Sequence, residues 1–201
     1  MSWKGTGSMN HDEKTALIVV DVQNDFADAR GSLYVAEGET VVPVVNRAVK
    51  GARAAGALVV YTQDWHPEST PHFEKDGGIW PVHCVMGTWG AEFHPDLLVE
   101  GEVVRKGASG HDGYSGFTER HPSTSEELPT PLVDMLRGRG IERVAIAGLA
   151  TDYCVKETAI DSLDHGFDTT VLADGVRGVN LEAGDDERAL DAVRAAGGSI
   201  E

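Results

Sequence analysis

Short runs of aliphatic residues recur along the chain, and each leads into a polar residue or a glycine. The runs are too short for helices and rich in β-branched residues, a pattern typical of strands buried on both faces of a sheet. Five strands are predicted: Ala16–Val20, Ala57–Thr62, Glu102–Arg105, Arg143–Ala147 and Thr169–Ala173. The short end after Gly198 leaves room for a sixth strand as a stub.

Longer stretches between these strands carry the signals of helices. Glycine follows three of them, as expected where a helix ends. The predicted helices are Thr40–Ala55, Pro131–Arg139, Asp152–His165 and Asp185–Ala196. Buried strands that alternate with helices predict a three-layer α/β fold, in which helices cover both faces of a doubly wound, mostly parallel sheet.

Residues with catalytic potential follow the ends of four predicted strands. Asp21, Asp64 and Lys106 come just after three of the strands, and Cys154 lies in the turn after a fourth. Because ligands bind at the carboxyl ends of the strands in such sheets, we expect these side chains to converge on one edge. Two long irregular segments are predicted to line the same site: 68–98 and 107–128.

Composition limits the number of domains and the kinds of partner. With 201 residues, of which 41% are hydrophobic, the chain suits one domain, predicted over residues 13–201 after a flexible leader at residues 1–12. A net charge of -16 would repel nucleic acid and anionic membrane surfaces. No apolar run approaches the roughly 20 residues of a membrane-spanning helix, and no signal-peptide pattern is present, so a cytoplasmic protein is expected. The number of chains that assemble is not determined by composition, and a homo-oligomer is one option.

Cys154 is a candidate nucleophile because of its place in the turn Gly148–Val155, where a predicted strand passes into a helix. The positive end of the helix dipole would depress the pKa of a thiol there and make it more nucleophilic. A buried, inert cysteine is the alternative for that position alone. Asp21 could take the thiol proton, and Lys106 could keep Asp21 ionised and favour the thiolate.

A set of metal-ligating residues follows the second predicted strand. Asp64 and His66 are two residues apart, so their side chains would point the same way on an extended segment, and His72 and His83 follow in the irregular loop. One carboxylate and three imidazoles suit one divalent zinc, iron or manganese ion. Cys84 directly follows His83 and is expected to point the opposite way, into the packing of the protein.

Several of these residues lie in motifs that resemble those of a known family. The motifs are Val20–Phe26, Asp64–His66, Trp80–Cys84, Lys106–Gly107 and Ala150–Val155. In this order they resemble the nicotinamidase branch of the isochorismatase-like cysteine hydrolases. The resemblance extends from Leu17 to about Gly178, nearly the whole chain.

The resemblance implies roles for the residues after the strands. Asp21, Lys106 and Cys154 would form the catalytic triad. The peptide between Leu149 and Ala150 would be cis, and the N–H groups of Ala150 and Cys154 would form an oxyanion hole.

The resemblance also implies a metal that anchors the substrate. Asp64, His66 and His83 match the ligands of nicotinamidases, and His72 stands at the spacing of an additional histidine found in some members. In that family the metal ligates the pyridine nitrogen and orients the ring, while the cysteine carries out the chemistry. Zinc is the first choice for this metal, with iron and manganese as alternatives.

Aromatic residues complete the expected pocket, because a flat heteroaromatic amide gains affinity by stacking between rings. Phe26 and Trp80 match the aromatic walls of the family, and Tyr114 is a third candidate from the loop after Lys106. For Phe26, a place in the core competes with this role.

These implications predict a metal-dependent cysteine amidase that hydrolyses nicotinamide, and also pyrazinamide, through a thioester. Four alternatives stay open at this point. They are an isochorismatase, another amidase of the superfamily acting on carbamoyl or ureido compounds, a metallohydrolase using metal-bound water, and a metal-binding protein without catalytic activity.

Overall fold

A computed structural model describes residues 12–111, 113–121, 124 and 126–201. Most of the predicted leader, residues 1–11, lies outside the described residues. Asp12, the last leader residue, already belongs to the fold, because its carboxylate accepts hydrogen bonds from the Lys14 backbone N–H and the Arg143 side chain. Within the described part of the chain, no helix is long and apolar enough to cross a membrane.

Six strands form one parallel sheet in the order β3-β2-β1-β6-β7-β8. They are β1 (Thr15–Val20), β2 (Leu58–Asp64), β3 (Glu102–Lys106), β6 (Arg143–Leu149), β7 (Asp168–Arg177) and β8 (Ser199–Ile200). All five predicted strands are present. The stub at the end of the chain is the sixth strand, since β8 pairs with β7.

β1 lies in the middle of the sheet, which explains why its sequence is apolar from Ala16 to Val20. It pairs with β2 on one side and β6 on the other, and every residue of β1 is buried. Leu17 and Val19 face one hydrophobic core, whereas Ile18 and Val20 face the other. A strand covered on both faces needs apolar side chains at consecutive positions.

Helices cover both faces of the sheet, as predicted. The described residues form five α-helices: α1 (Asn24–Ala27), α2 (Val41–Ala54), α3 (Leu132–Gly138), α4 (Lys156–Asp164) and α5 (Asp185–Ala195). Valines of α2, including Val45 and Val49, enter the first core. Leu136 of α3, Ala159 of α4 and Val193 of α5 enter the second core, on the opposite face.

The two long segments expected to be irregular contain some regular structure. Short 3₁₀ turns occur at Glu74–Asp76 and Trp89–Ala91 in the first segment. In the second, β4 (Thr118–Arg120) and β5 (Glu127–Pro129) pair in antiparallel fashion. These strands have three residues each and are mostly polar, so no hydrophobic alternation marks them in the sequence.

Gly148 gives a test of the close contact between β1 and β6. Its φ is 124°, and an added Cβ would lie 2.0 Å from the backbone oxygen of Val20. We expect Gly148→Ala to lower the free energy of unfolding by about 3 kcal/mol or more, because strain and overlap add. Urea unfolding measures this loss.

Gly51 of α2 is the matched control, since an added Cβ there meets nothing within 4 Å. Gly51→Ala should raise stability by up to about 1 kcal/mol through helix propensity. Equal effects of the two substitutions would contradict the packing described for Gly148.

Candidate active site and metal centre

The ends of four neighbouring strands bring the predicted catalytic residues together. Asp21 directly follows β1, and Asp64 and Lys106, the last residues of β2 and β3, are partners in the parallel register. Cys154 lies beyond β6, which flanks β1 on its other side. All four side chains are buried.

Lys106 stands at the centre of this group. Its Nζ lies 2.9 Å from Asp21 Oδ2, donates to Asp64 Oδ1 and to the Gly113 carbonyl at 3.0 Å, and lies 3.7 Å from Cys154 Sγ. Burial alone would lower the pKa of Lys106, but the two carboxylates outweigh it and hold the pKa well above its usual value. The side chain is therefore an ammonium.

Asp21 is held in a left-handed backbone conformation, with φ of 48°. The Thr62 hydroxyl accepts from the Asp21 backbone N–H at 3.2 Å and donates to Asp21 Oδ1 at 2.7 Å. Burial raises the pKa of Asp21, although the Lys106 ammonium opposes the shift. A carboxylate oxygen of Asp21 lies within 4.8 Å of Cys154 Sγ, close enough for this group to serve as the base.

Cys154 lies in a π-helical turn, Thr151–Val155, that runs directly into α4. Burial raises the pKa of its thiol well above the usual value; Lys106 lowers it, and Asp21 and Asp64 raise it further. The predicted depression of this pKa is therefore wrong for the resting protein, since helix position is outweighed by desolvation. The thiol keeps its proton at neutral pH and needs a base.

The peptide bond between Leu149 and Ala150 is cis, as the resemblance implied. Two residues are expected to supply the oxyanion hole: Ala150 directly precedes the turn Thr151–Val155, Cys154 lies within it, and both line the same pocket.

Three of the predicted metal ligands form a buried cluster beside this group. One ring nitrogen each of His66, His72 and His83 lies within 4.8 Å of the others. Both ring nitrogens of His66 are buried without a hydrogen-bond partner among the described residues, an arrangement that a bound metal would satisfy. His83 Nδ1 lies 2.7 Å from the Pro81 carbonyl, which fixes the ring and leaves Nε2 for a ligand. Burial lowers the pKa of His83 to about 4, so the ring is neutral, as ligation requires.

Asp64, the fourth predicted ligand, lies between the two groups. Its Oδ1 accepts from Lys106, and its Oδ2 lies 3.8 Å from His66 Nε2. Burial would raise the pKa of Asp64, but Lys106 and His66 hold it well below its usual range. The side-chain amide of Gln23 binds the backbone of Asp64. Its Nε2 donates to the Asp64 carbonyl at 2.7 Å, and its Oε1 accepts from the Asp64 N–H at 2.8 Å. The donor set fits a divalent metal.

A pocket of about 440 Å³, counted with its open mouth, joins the two groups. Cys154, Asp64, His72 and His83 reach it. The three predicted aromatic residues line it as well: Phe26, Trp80 and Tyr114. Cys84 does not reach the pocket and is fully buried in the first core, as its predicted packing role requires.

Other pocket residues were missed by sequence reasoning. They are Leu33, Val35, Gly113, Leu149, Tyr153 and Val179. Tyr153 could have been found, because it precedes Cys154 in the same motif; its ring centroid lies 4.9 Å from that of Trp80, which in turn donates to the Tyr114 hydroxyl at 2.9 Å. Leu33 and Val179 are single aliphatic residues in loops and carry no pattern.

A parallel sheet covered by helices, with a cysteine, a carboxylate and an ammonium at its carboxyl edge, defines a cysteine hydrolase with a three-layer α/β fold. The sequence model of the isochorismatase domain family matches residues 15–200, and the chain belongs to this family.

Similar proteins cover nearly the whole chain. The nicotinamidase of Escherichia coli (strain K12) is 37% identical, with 92% of this chain and 93% of that protein covered. The structure of the pyrazinamidase of Pyrococcus horikoshii in complex with zinc is 42% identical, with a TM-score of 0.84 over 94% of this chain and 98% of that one. The structure of PnC1 from L. infantum in complex with nicotinate is 33% identical, with a TM-score of 0.87 over 96% and 95%.

Replacing Lys106 tests the charge balance of the site. In Lys106→Met two carboxylates stay buried without their cation, so we expect a loss of about 3–5 kcal/mol in the free energy of unfolding at pH 7. Without Lys106 the folded-state pKa of Asp21 rises further above its unfolded value. The folded protein then takes up a proton as the pH falls, so the loss should shrink towards pH 5 and grow as the pH rises.

Urea unfolding from pH 5 to pH 8 measures this dependence. Lys14→Met is the control, because Lys14 pairs with Glu142 at the exposed surface and its loss should change stability little at any of these pH values. A loss in Lys106→Met that does not vary with pH would contradict the assignment.

Proposed function

We propose that this chain is a nicotinamidase, which hydrolyses nicotinamide to nicotinate and ammonia through a thioester on Cys154. The observation that carries the proposal is that one pocket is lined by both Cys154 and the histidines His72 and His83. Asp21 and Lys106 lie behind Cys154. The relatives named as nicotinamidases and the neighbour that holds nicotinate support the substrate.

In the first half-reaction Asp21 takes the proton of the Cys154 thiol, and the sulfur attacks the amide carbon. The N–H groups of Ala150 and Cys154 hold the oxyanion that forms. The carbon–nitrogen bond then breaks, and Asp21 passes its proton to the nitrogen, which leaves as ammonia. Acyl-Cys154 remains.

In the second half-reaction Asp21 takes a proton from a water molecule as the water attacks the thioester carbon. The carbon–sulfur bond breaks, the acid is released, and the proton returns to the sulfur of Cys154. Lys106 stays charged throughout. It stabilises the transient thiolate at 3.7 Å and keeps Asp21 in place at 2.9 Å.

Asp64, His66, His72 and His83 would hold one divalent metal, with zinc as the proposed ion and iron or manganese as alternatives. The bound metal would ligate the ring nitrogen of the substrate and so orient the amide towards Cys154. Zinc is proposed because the three imidazoles and one carboxylate suit it, and because the similar pyrazinamidase structure contains it.

Phe26, Trp80 and Tyr114 are proposed to enclose the ring of the substrate. The hydrogen bond from Trp80 to Tyr114 holds two of these side chains against each other. A pocket shaped for a flat ring with a nitrogen meta to the amide would also accept pyrazinamide, which has a ring nitrogen at the same position. The cytoplasmic location and the homo-oligomer stay predictions.

Removal of the thiol tests the mechanism. We expect Cys154→Ala to release ammonia from nicotinamide at least about 10⁴-fold more slowly than the wild-type chain, because no other group can form the thioester. Ammonia release is followed on nicotinamide, pyrazinamide and a carbamoyl compound, and pyruvate release on isochorismate, each with and without a chelator.

Zinc affinity and melting temperature serve as controls for the folding of Cys154→Ala, and both should match the wild-type values. A variant that keeps an appreciable rate would exclude the thiol mechanism and favour attack by metal-bound water. A wild-type chain that acts on the carbamoyl compound but not on nicotinamide would assign it to another branch of the family.

Substitution of Thr62 tests the role of Asp21 as the base. The hydroxyl of Thr62 lowers the pKa of Asp21, whose carboxyl also faces Lys106, Asp64 and Cys154. Because the base must be ionised, Thr62→Val should move the acid limb of kcat/KM to higher pH by about one pH unit. Thr62→Ser keeps the hydroxyl and should leave the limb near its wild-type position. An acid limb unmoved in Thr62→Val would remove Asp21 from this role.

A further inference from the structure

Asp25 is a buried carboxylate of α1 to which the mechanism gives no part. Its side chain reaches two loops at once: Oδ2 accepts from the Cys84 backbone N–H at 2.7 Å, and Oδ1 accepts from the Ser32 backbone N–H at 3.0 Å. In the part of the chain that the structure describes, it forms no ion pair with a lysine or arginine. Backbone N–H groups therefore hold the charge of this carboxylate.

The surrounding chain is shaped to admit this carboxylate. An added Cβ at Gly90 would lie 2.1 Å from Asp25 Oδ2, so only glycine leaves the space. Cys84 has a φ of 46°, a left-handed conformation that costs about 1–3 kcal/mol in a residue other than glycine. The hydrogen bond from its N–H to Asp25 offsets part of that cost.

The peptide groups of Cys84 connect Asp25 to two of the candidate metal ligands. His83 directly precedes Cys84, so the N–H that binds Asp25 belongs to the peptide between these two residues. The Cys84 carbonyl accepts from the His66 backbone N–H at 2.9 Å. A shift of Cys84 would therefore move His83 and His66 relative to each other.

We propose that Asp25 is the positioning residue of the metal centre. It does not touch the metal or the substrate; it fixes the backbone of Cys84 and thereby the separation of His66 and His83. The proposal rests on the metal site of the proposed function.

Asp152 provides a matched control elsewhere in the fold. It is buried to a similar degree, 7% exposed against 8% for Asp25, and also accepts two backbone hydrogen bonds, from Val179 at 2.9 Å and Asn180 at 2.8 Å. These bonds hold the backbone of Val179, which lines the pocket, and neither of them involves a residue of the histidine cluster. Substitution of Asp152 therefore removes the same kind of backbone hydrogen bond as substitution of Asp25, but without the proposed link to the metal.

The test measures zinc affinity directly, by titration of the metal-free full chain in competition with a chromophoric chelator. Asp25→Asn keeps the size of the side chain but turns an NH₂ group towards an N–H donor, so at least one bond is lost. We expect its Kd for zinc to rise by about 10- to 100-fold, the range found for partners that orient metal ligands. Asp152→Asn should bind zinc with the wild-type Kd.

Gly90→Ala is a second variant, which displaces the carboxylate without replacing it and should weaken zinc binding in the same direction. Circular dichroism of the metal-free proteins checks that both variants are folded. An unchanged Kd in folded Asp25→Asn or Gly90→Ala, or an equal rise in Asp152→Asn, would overturn the proposal. A wild-type chain that binds no zinc, or releases no ammonia from nicotinamide, would instead contradict the proposed function.

Discussion

The ammonium of Lys106 is fully buried, and the site around it depends on how that charge is compensated. Desolvation of an ion at such depth costs several kcal/mol, so an unpaired lysine there would lose its proton. Asp21 and Asp64 keep the charge in place because both lie against Nζ. Lys106 in turn lowers the pKa of both carboxylates, so the three groups form a single electrostatic unit.

Burial decides where the mobile proton resides, together with the excess of negative charge that two carboxylates around one ammonium leave. The pKa values of Asp21 and of the Cys154 thiol are both raised, whereas that of Asp64 is held low. One proton can then move between Asp21 and Cys154 while the total charge of the group stays constant. Asp64 keeps its charge and lies between Lys106 and His66, so the proposed catalytic group and the proposed metal site share one carboxylate.

The parts of this arrangement that depend on local pattern could be predicted from the sequence. Apolar runs mark the strands, and the rule that parallel strands end at one edge brings Asp21, Lys106 and Cys154 together. The depth at which a side chain is buried leaves no local signal in the sequence. The predicted shift of the Cys154 pKa therefore had the wrong direction. The position of Cys154 near a helix is visible in the sequence, but its desolvation and the carboxylates around it are not. Contacts between distant loops are equally invisible, so Val179 and the role of Asp25 appear only in three dimensions.

The charge of the pocket bears on the release of product. Nicotinamide is neutral and nicotinate is an anion, so the proposed reaction adds a negative charge inside the pocket. Among the described residues that line the pocket there is no lysine or arginine, and Asp64 is ionised at its base. The ammonium of Lys106 is already bound by Asp21 and Asp64 and offers little to a new carboxylate. Burial and the two carboxylates, which together keep the proton on the thiol before the reaction, therefore also disfavour the carboxylate that forms beside Cys154, whereas the divalent metal proposed for the histidine cluster would attract that anion.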